Sequence, residues 1–173
     1  MNTQFDGIVM SRVFNAPREL VWNAWTKPDM VKKWWGPKDF AAPSIVIDFR
    51  VGGKYIYCMH GPKGTQFDID MYSAGVFKEI VPIQKLTISD YFSDKDGNKI
   101  DPASMGLPKD MPVEMDVMVL FEDAGTGKTK LSIIYPRPAS DAQFSAMKKS
   151  GLEEGWGTSL DKLAESLRLE PKR

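Results

Sequence analysis

From residue 45 to about residue 135 the apolar residues of this chain recur mainly at every second position, and from residue 141 at every third or fourth. A period of two marks a strand with one buried face; a period near 3.6 marks a helix with one apolar stripe. The switch constrains the chain to an α+β arrangement. A run of antiparallel strands is followed by a helix that must bury its stripe against them.

The individual elements follow from local chemistry. Ile8 to Phe14 alternates as a first strand. Pro17 opens a helix, where its missing N–H costs nothing, and Leu20, Val21, Ala24 and Trp25 fall at helical spacing. Thr26 is predicted to cap a second short helix that Trp35-Gly36-Pro37 ends. Strands are predicted at 45–47, 54–58, about 67–81 and around Leu86, Ile88 and Phe92, then at 113–122 and 128–135. Gly52-Gly53 marks a tight turn or bulge, and Gly75 a bend in its strand. Ser93 to Pro112 reads as a long loop, a length usually kept for function or mobility. Asp141 to Leu169 reads as one long helix, with Gly151, Gly155 and Gly157 implying a bend or a close approach to the sheet.

A chain of 173 residues is most simply one domain, spanning 1–173, burying roughly 70% of its unfolded surface. Lys+Arg and Asp+Glu both number 23, so the overall charge offers no basic surface for sequence-independent nucleic-acid binding. The single cysteine, Cys58, cannot form an internal disulfide, which fits a reducing compartment. No secretory signal is recognised at the N-terminus, and no apolar run reaches the ~20 residues that cross a bilayer. A cytoplasmic protein without membrane insertion is expected.

Four separated motifs resemble a known family. They are Ala16-Pro17 with Val21-Trp22 and Trp34-Trp35-Gly36-Pro37; Asp48-x-Arg50-Val51-Gly52-Gly53; Gly75-x-x-x-Glu79-Ile80; and Glu154-Gly155-Trp156 with Leu160-Asp161-x-Leu163. Together they are similar to the domain of activators of heat shock protein 90 ATPase, within the helix-grip superfamily that includes START lipid-transfer domains, Bet v proteins and polyketide cyclases. The resemblance runs from Ile8 to Leu167 and implies a curved antiparallel sheet wrapped around a long C-terminal helix, with two short helices after the first strand. It implies three functions: a cavity for a small apolar or amphipathic ligand, a cochaperone of a heat shock protein 90 homologue, or a cyclase- or hydrolase-like enzyme. The first is the leading expectation, without catalytic residues, metal or cofactor.

The predicted cavity lining is Trp34, Trp35, Phe40, Tyr55, Tyr57, Met59, Met71, Phe77, Met115, Phe144, Met147 and Trp156. Concave sites are mostly apolar, and methionine adapts to irregular surfaces. Taken singly, each residue is better read as core packing, the usual fate of a buried aromatic. Taken as a set, and with the resemblance, they are read as a lining. Asp90 and Glu79, polar residues among apolar strands, are candidate anchors that could equally face water.

Other motifs carry less. His60, the only histidine, reads as an exposed turn residue. Cys58 shares its strand face, but about 6.6 Å of rise separates the two, too far for a nucleophile pair. Gly127-Lys128-Thr129 lacks the earlier glycine and the following helix of a P-loop. Asp94-Lys95-Asp96-Gly97-Asn98 has its glycine misplaced for calcium. Asp68 and Asp70 read as a solvated edge. Lys148, Lys149, Lys162, Arg168, Lys172 and Arg173 are read as cations favoured towards the end of the terminal helix.

Overall fold

A computed structural model describes residues 5–170; Lys172 and Arg173, expected on the terminal helix, and Met1 to Gln4 lie outside that range. The chain runs β1 (Gly7–Phe14), α1 (Arg18–Thr26), α2 (Pro28–Val31), β2 (Ile45–Ile47), β3 (Lys54–His60), β4 (Asp70–Val81), β5 (Lys85–Ser93), β6 (Met115–Asp123), β7 (Thr129–Pro136), α3 (Asp141–Lys149) and α4 (Leu152–Arg168). The strands form one antiparallel sheet in the order β1-β7-β6-β5-β4-β3-β2. This is the helix-grip arrangement: the sheet curves around α4, and the two short helices cover one end.

Alternation decides which residues face α4. Tyr55 and Tyr57 on β3, Phe77 on β4, Leu86 and Ile88 on β5, Val117 to Phe121 at alternate positions on β6, and Leu131, Ile133 and Tyr135 on β7 share the concave face. Leu160, Leu163 and Leu167 of α4 complete that core. Each such side chain fully buried contributes about 1.5–3 kcal/mol. Arg12 of β1 ties the sheet edge to α4, donating to Asp161 at 2.5 Å and to the Gly157 carbonyl at 3.2 Å.

Three local expectations are corrected. Thr26 does not cap α2. It still belongs to α1, where its hydroxyl bonds back to the Trp22 carbonyl at 2.9 Å; Lys27 takes the cap position and Pro28 the first helical one. β4 begins at Asp70 rather than near Phe67, because the Gly61 N–H bonds the Phe67 carbonyl and holds the intervening residues as a turn. The terminal helix is two helices. Ser140 caps α3 by accepting from the Gln143 N–H, and Gly151, at φ +83°, breaks the run and opens α4. Only glycine adopts that backbone readily, which locates the bend expected from the three glycines.

The long loop is not featureless. Asp94 accepts from the backbone of Asp96 and Asn98, closing a turn, and Asp101 caps a 3-10 turn over Pro102–Met105. Local side-chain bonds of this kind are what Asp does in loops.

Gly75 has a specific role. It pairs with Tyr55, whose ring passes across it so that the hydroxyl donates to the Ser89 carbonyl on β5 at 2.7 Å. A Cβ at position 75 would overlap that carbonyl oxygen and approach the Tyr55 hydroxyl at 2.7 Å. The ladder shifts register just beyond, between Phe77 and Glu79. Gly75→Ala is expected to lower stability by about 2 kcal/mol, within the range for overpacking, measured by urea denaturation; an unchanged midpoint would contradict the close approach.

Candidate functional site

Between the concave face and α4 lies a cavity of about 220 Å³, partly open to solvent. Its walls come from many elements: Met59 of β3, Met71 and Ser73 of β4, Asp90 and Phe92 of β5, Met115 of β6 and Tyr135 of β7. Gly155, Trp156 and Ser159 of α4 close one side, and Trp35 to Pro37 another. Leu107, Met111 and Val113 of the long loop reach over it.

Of the twelve side chains read from the sequence as lining, five line this cavity: Trp35, Met59, Met71, Met115 and Trp156. Trp34, Tyr55, Tyr57 and Phe77 stand behind it, around a much smaller void of about 20 Å³ that Trp35, Asp90, Tyr135 and Trp156 also border. The remaining three lie elsewhere. Phe40 packs on Phe67, ring centroids 5.8 Å apart. Phe144 lies under the cations of Arg137 and Lys148, each 4.3 Å from its ring. Met147 is sealed in the core. The last two belong to α3, and the break at Gly151 takes α3 away from the axis of α4, so one continuous stripe overestimates what reaches the cavity.

The walls are braced. Trp156 stacks on Trp25 at 5.7 Å with 12° between the planes, and meets Trp35 edge-on at 5.6 Å. Trp35 in turn contacts Tyr57 at 4.8 Å. The Trp34 indole N–H donates to the Ala24 carbonyl at 2.9 Å, holding the segment after α2 against α1. Lys162, expected only as a cation near a helix end, instead donates to the carbonyls of Trp35, Gly36, Pro37 and Phe40 at 3.3, 3.0, 3.3 and 2.9 Å. Desolvation lowers its pKa, and the four carbonyl dipoles offset that cost.

Asp90 is the one ionisable carboxyl on the lining. The protein surrounds it, yet part of its surface remains accessible, and it lines the cavity. Burial pushes its pKa from 3.8 up to about 6, against the opposing pull of the Tyr55 and Tyr135 hydroxyls. Tyr55 lies 3.4 Å from its carboxylate, and Tyr135 accepts from the Trp156 indole N–H at 2.8 Å. Burial, then the nearby carboxylate, raises the pKa of Tyr55, Tyr57 and Tyr135, so these phenols stay protonated. Glu79, the other candidate anchor, is exposed and paired with Lys85 at 2.7 Å. The sequence signal for Asp90 is its position in the face Leu86, Ile88, Asp90, Phe92, where every other member is apolar. Leu107 and Met111 carry no such signal, because their loop has no period.

His60 ends β3 with its side chain on the opposite face from Met59. Its ring nitrogens bond Asp70 at 2.7 Å and Asp68 at 2.9 Å, so these aspartates flank the imidazole rather than forming an isolated solvated edge. Their hydrogen bonds raise the histidine pKa. Cys58 is buried and its thiol pKa is pushed up, the reverse of a reactive thiolate.

The sequence matches the family described as "Activator of Hsp90 ATPase homolog 1-like protein" over residues 15–168. The chain belongs to this family. Solved structures of similar proteins share the fold. The AHSA1 protein of Silicibacter pomeroyi is 23% identical with a TM-score of 0.69, over 95% of this chain and 99% of its own. A protein of Arthrobacter aurescens aligns over 99% of this chain and 95% of its own, at 24% identity and a TM-score of 0.77. One from Chromobacterium violaceum is 26% identical, with a TM-score of 0.68 over 95% and 98% of the two chains. No functionally curated protein matches the chain. Among the described residues no helix is long and apolar enough to cross a membrane.

The raised pKa of Asp90 links stability to pH. Below about 3.8 the carboxyl is neutral folded and unfolded; above about 6 it is charged in both, and the folded protein bears the cost of the buried charge. The shift corresponds to about 3 kcal/mol of stability lost as pH rises through that window. Asp90→Asn is therefore expected to gain stability relative to the parent between about pH 4 and pH 7.5, by up to that amount. Thermal and urea denaturation across the range measure it, and a difference that stays flat with pH would contradict the assignment.

Proposed function

We propose that the cavity binds a small amphipathic molecule, its apolar body against Trp35, Trp156 and the methionines and its polar end at Asp90. The observation that carries this reading is the convergence of apolar walls from five strands and a helix on one carboxyl group. Binding sites characteristically combine an apolar lining with a few polar groups that fix orientation. Met59, Met71, Met111 and Met115 supply a polarisable wall that adapts to ligand shape. At about 220 Å³ the space lies below the ~300–1,000 Å³ of drug-sized sites, which favours a small ligand.

Gly155 gives a test that separates binding from folding. It lies within α4 on the lining, its nearest neighbour the Pro37 ring at 4.0 Å from a Cβ placed there. Gly155→Leu fills the cavity while improving helix propensity by about 0.8–1 kcal/mol. The uncharged fluorescent probe N-phenyl-1-naphthylamine is expected to bind the parent at one site per chain. The variant should bind at least about tenfold more weakly, the loss of roughly 1.4 kcal/mol, with an equal or higher melting temperature. Unchanged probe affinity in a folded variant would remove the cavity as the binding site.

A second reading, stimulation of a heat shock protein 90-type ATPase, is favoured by the description of the family that the chain matches. A steady-state assay of such an ATPase with and without this protein is expected to show a rise in rate if the reading holds; no change and no association would remove it. The cyclase- or hydrolase-like reading loses its obvious base, because His60 lies on the sheet face away from the cavity.

A further inference from the structure

We propose that the ligand is an organic cation, a small hydrophobic amine whose ammonium group pairs with Asp90 beside the rings of Trp35, Trp156 and Tyr135. This rests on the cavity-binding reading above and adds the charge of the molecule bound.

The argument begins with what faces Asp90. The tyrosines Tyr55 and Tyr57 come from β3, Tyr135 from β7 and the Trp156 indole from α4, all uncharged at neutral pH. Among the described residues, no cationic side chain perturbs or pairs with the carboxyl group. Among the described residues, Arg12 and Lys162 on this side of the sheet are both engaged elsewhere. Arg12 is bound to Asp161 and the Gly157 carbonyl, and Lys162 to four carbonyls of the segment after α2. Above about pH 6 the cavity therefore holds an uncompensated negative charge. A buried charge is normally paired, because leaving it alone costs several kcal/mol. A cationic ligand supplies the missing partner.

The surrounding rings favour the same class. Trp35 and Trp156 meet nearly at right angles, 82°, with centroids 5.6 Å apart, and both line the cavity with Tyr135. The electron-rich faces of Trp and Tyr attract ammonium groups, by about 2 kcal/mol or more where water is excluded. A fatty acid would meet the opposite situation, a second carboxylate brought against Asp90 in a site of low dielectric.

Calorimetric titration with three probes of equal chain length, octylamine, 1-octanol and octanoate, tests the inference. At about pH 7.5 octylamine, charged throughout, is expected to bind at least about tenfold more tightly than octanol, a gain of roughly 1.4 kcal/mol, and octanoate more weakly than either. Asp90→Asn should abolish the preference for the amine, octylamine losing at least about tenfold and octanol less than that, with an equal or higher melting temperature reporting that the variant is folded. With the parent protein, lowering the pH to about 5 should shrink the same preference as Asp90 takes up its proton. Equal affinity for amine and alcohol, or a preference that survives Asp90→Asn, would overturn the charge assignment and leave the cavity reading standing. Failure of all three probes and of the uncharged fluorescent probe would overturn both.

Discussion

The ammonium group of Lys162 sits among four backbone carbonyls, and the cavity keeps its shape because of it. The segment from Trp35 to Phe40 belongs to no strand, and the bridge between Ala41 and His60 holds only its far end. Without a partner on α4 its carbonyls would need water, and water at that place would separate the helix from the segment. One half-buried cation satisfies several acceptors at once. It fixes Trp35 against Tyr57 and Trp156, and through them the wall opposite the sheet. The Trp34 indole performs the complementary task, binding the same segment to α1.

The distribution of charge is as informative as its total. A net charge of zero conceals a sorting of cations. Among the described residues, Arg12 and Lys162 are bound to acceptors, whereas the side-chain hydrogen bonds to Asp90 come from tyrosine hydroxyls. Two phenols moderate its desolvation without neutralising it. The result is a carboxyl group whose charge state lies near the physiological range instead of far below it.

Much of this was legible in the sequence. Period-two alternation located the strands, and Gly151 marked a real break; Gly75 marks the close approach of Tyr55 instead of a bend, the register shift falling beyond Phe77. What misled was continuity. The stripe Phe144, Met147, Leu152, Trp156 suggests one helix, but a single residue in the left-handed region redirects it, and two expected lining residues leave with α3. Phe40 was misassigned for another reason: aromatic character says that a side chain is buried, not in which layer. From sequence Lys162 reads as a helix-end cation, because no local pattern reveals a partner more than 120 positions away. The loop residues Leu107 and Met111 carry no periodic signal at all. Their burial is decided by where the ends of the loop are anchored.

The order of strands also bears on how the chain reaches this state. β1 precedes the other strands in chain order and lies at one edge, hydrogen-bonded to β7, so that Ser11 meets Ser132 across 121 residues. During synthesis this strand emerges with no partner, and its ladder cannot close until almost the whole sheet exists. Pairings so distant in sequence carry a large closure entropy and form late. The bonds from Arg12 to Asp161 and Gly157 come later still, since they require α4. The first strand of the sheet in chain order is thus the one that completes it, and the edge of β7 that it covers stays unpaired until then.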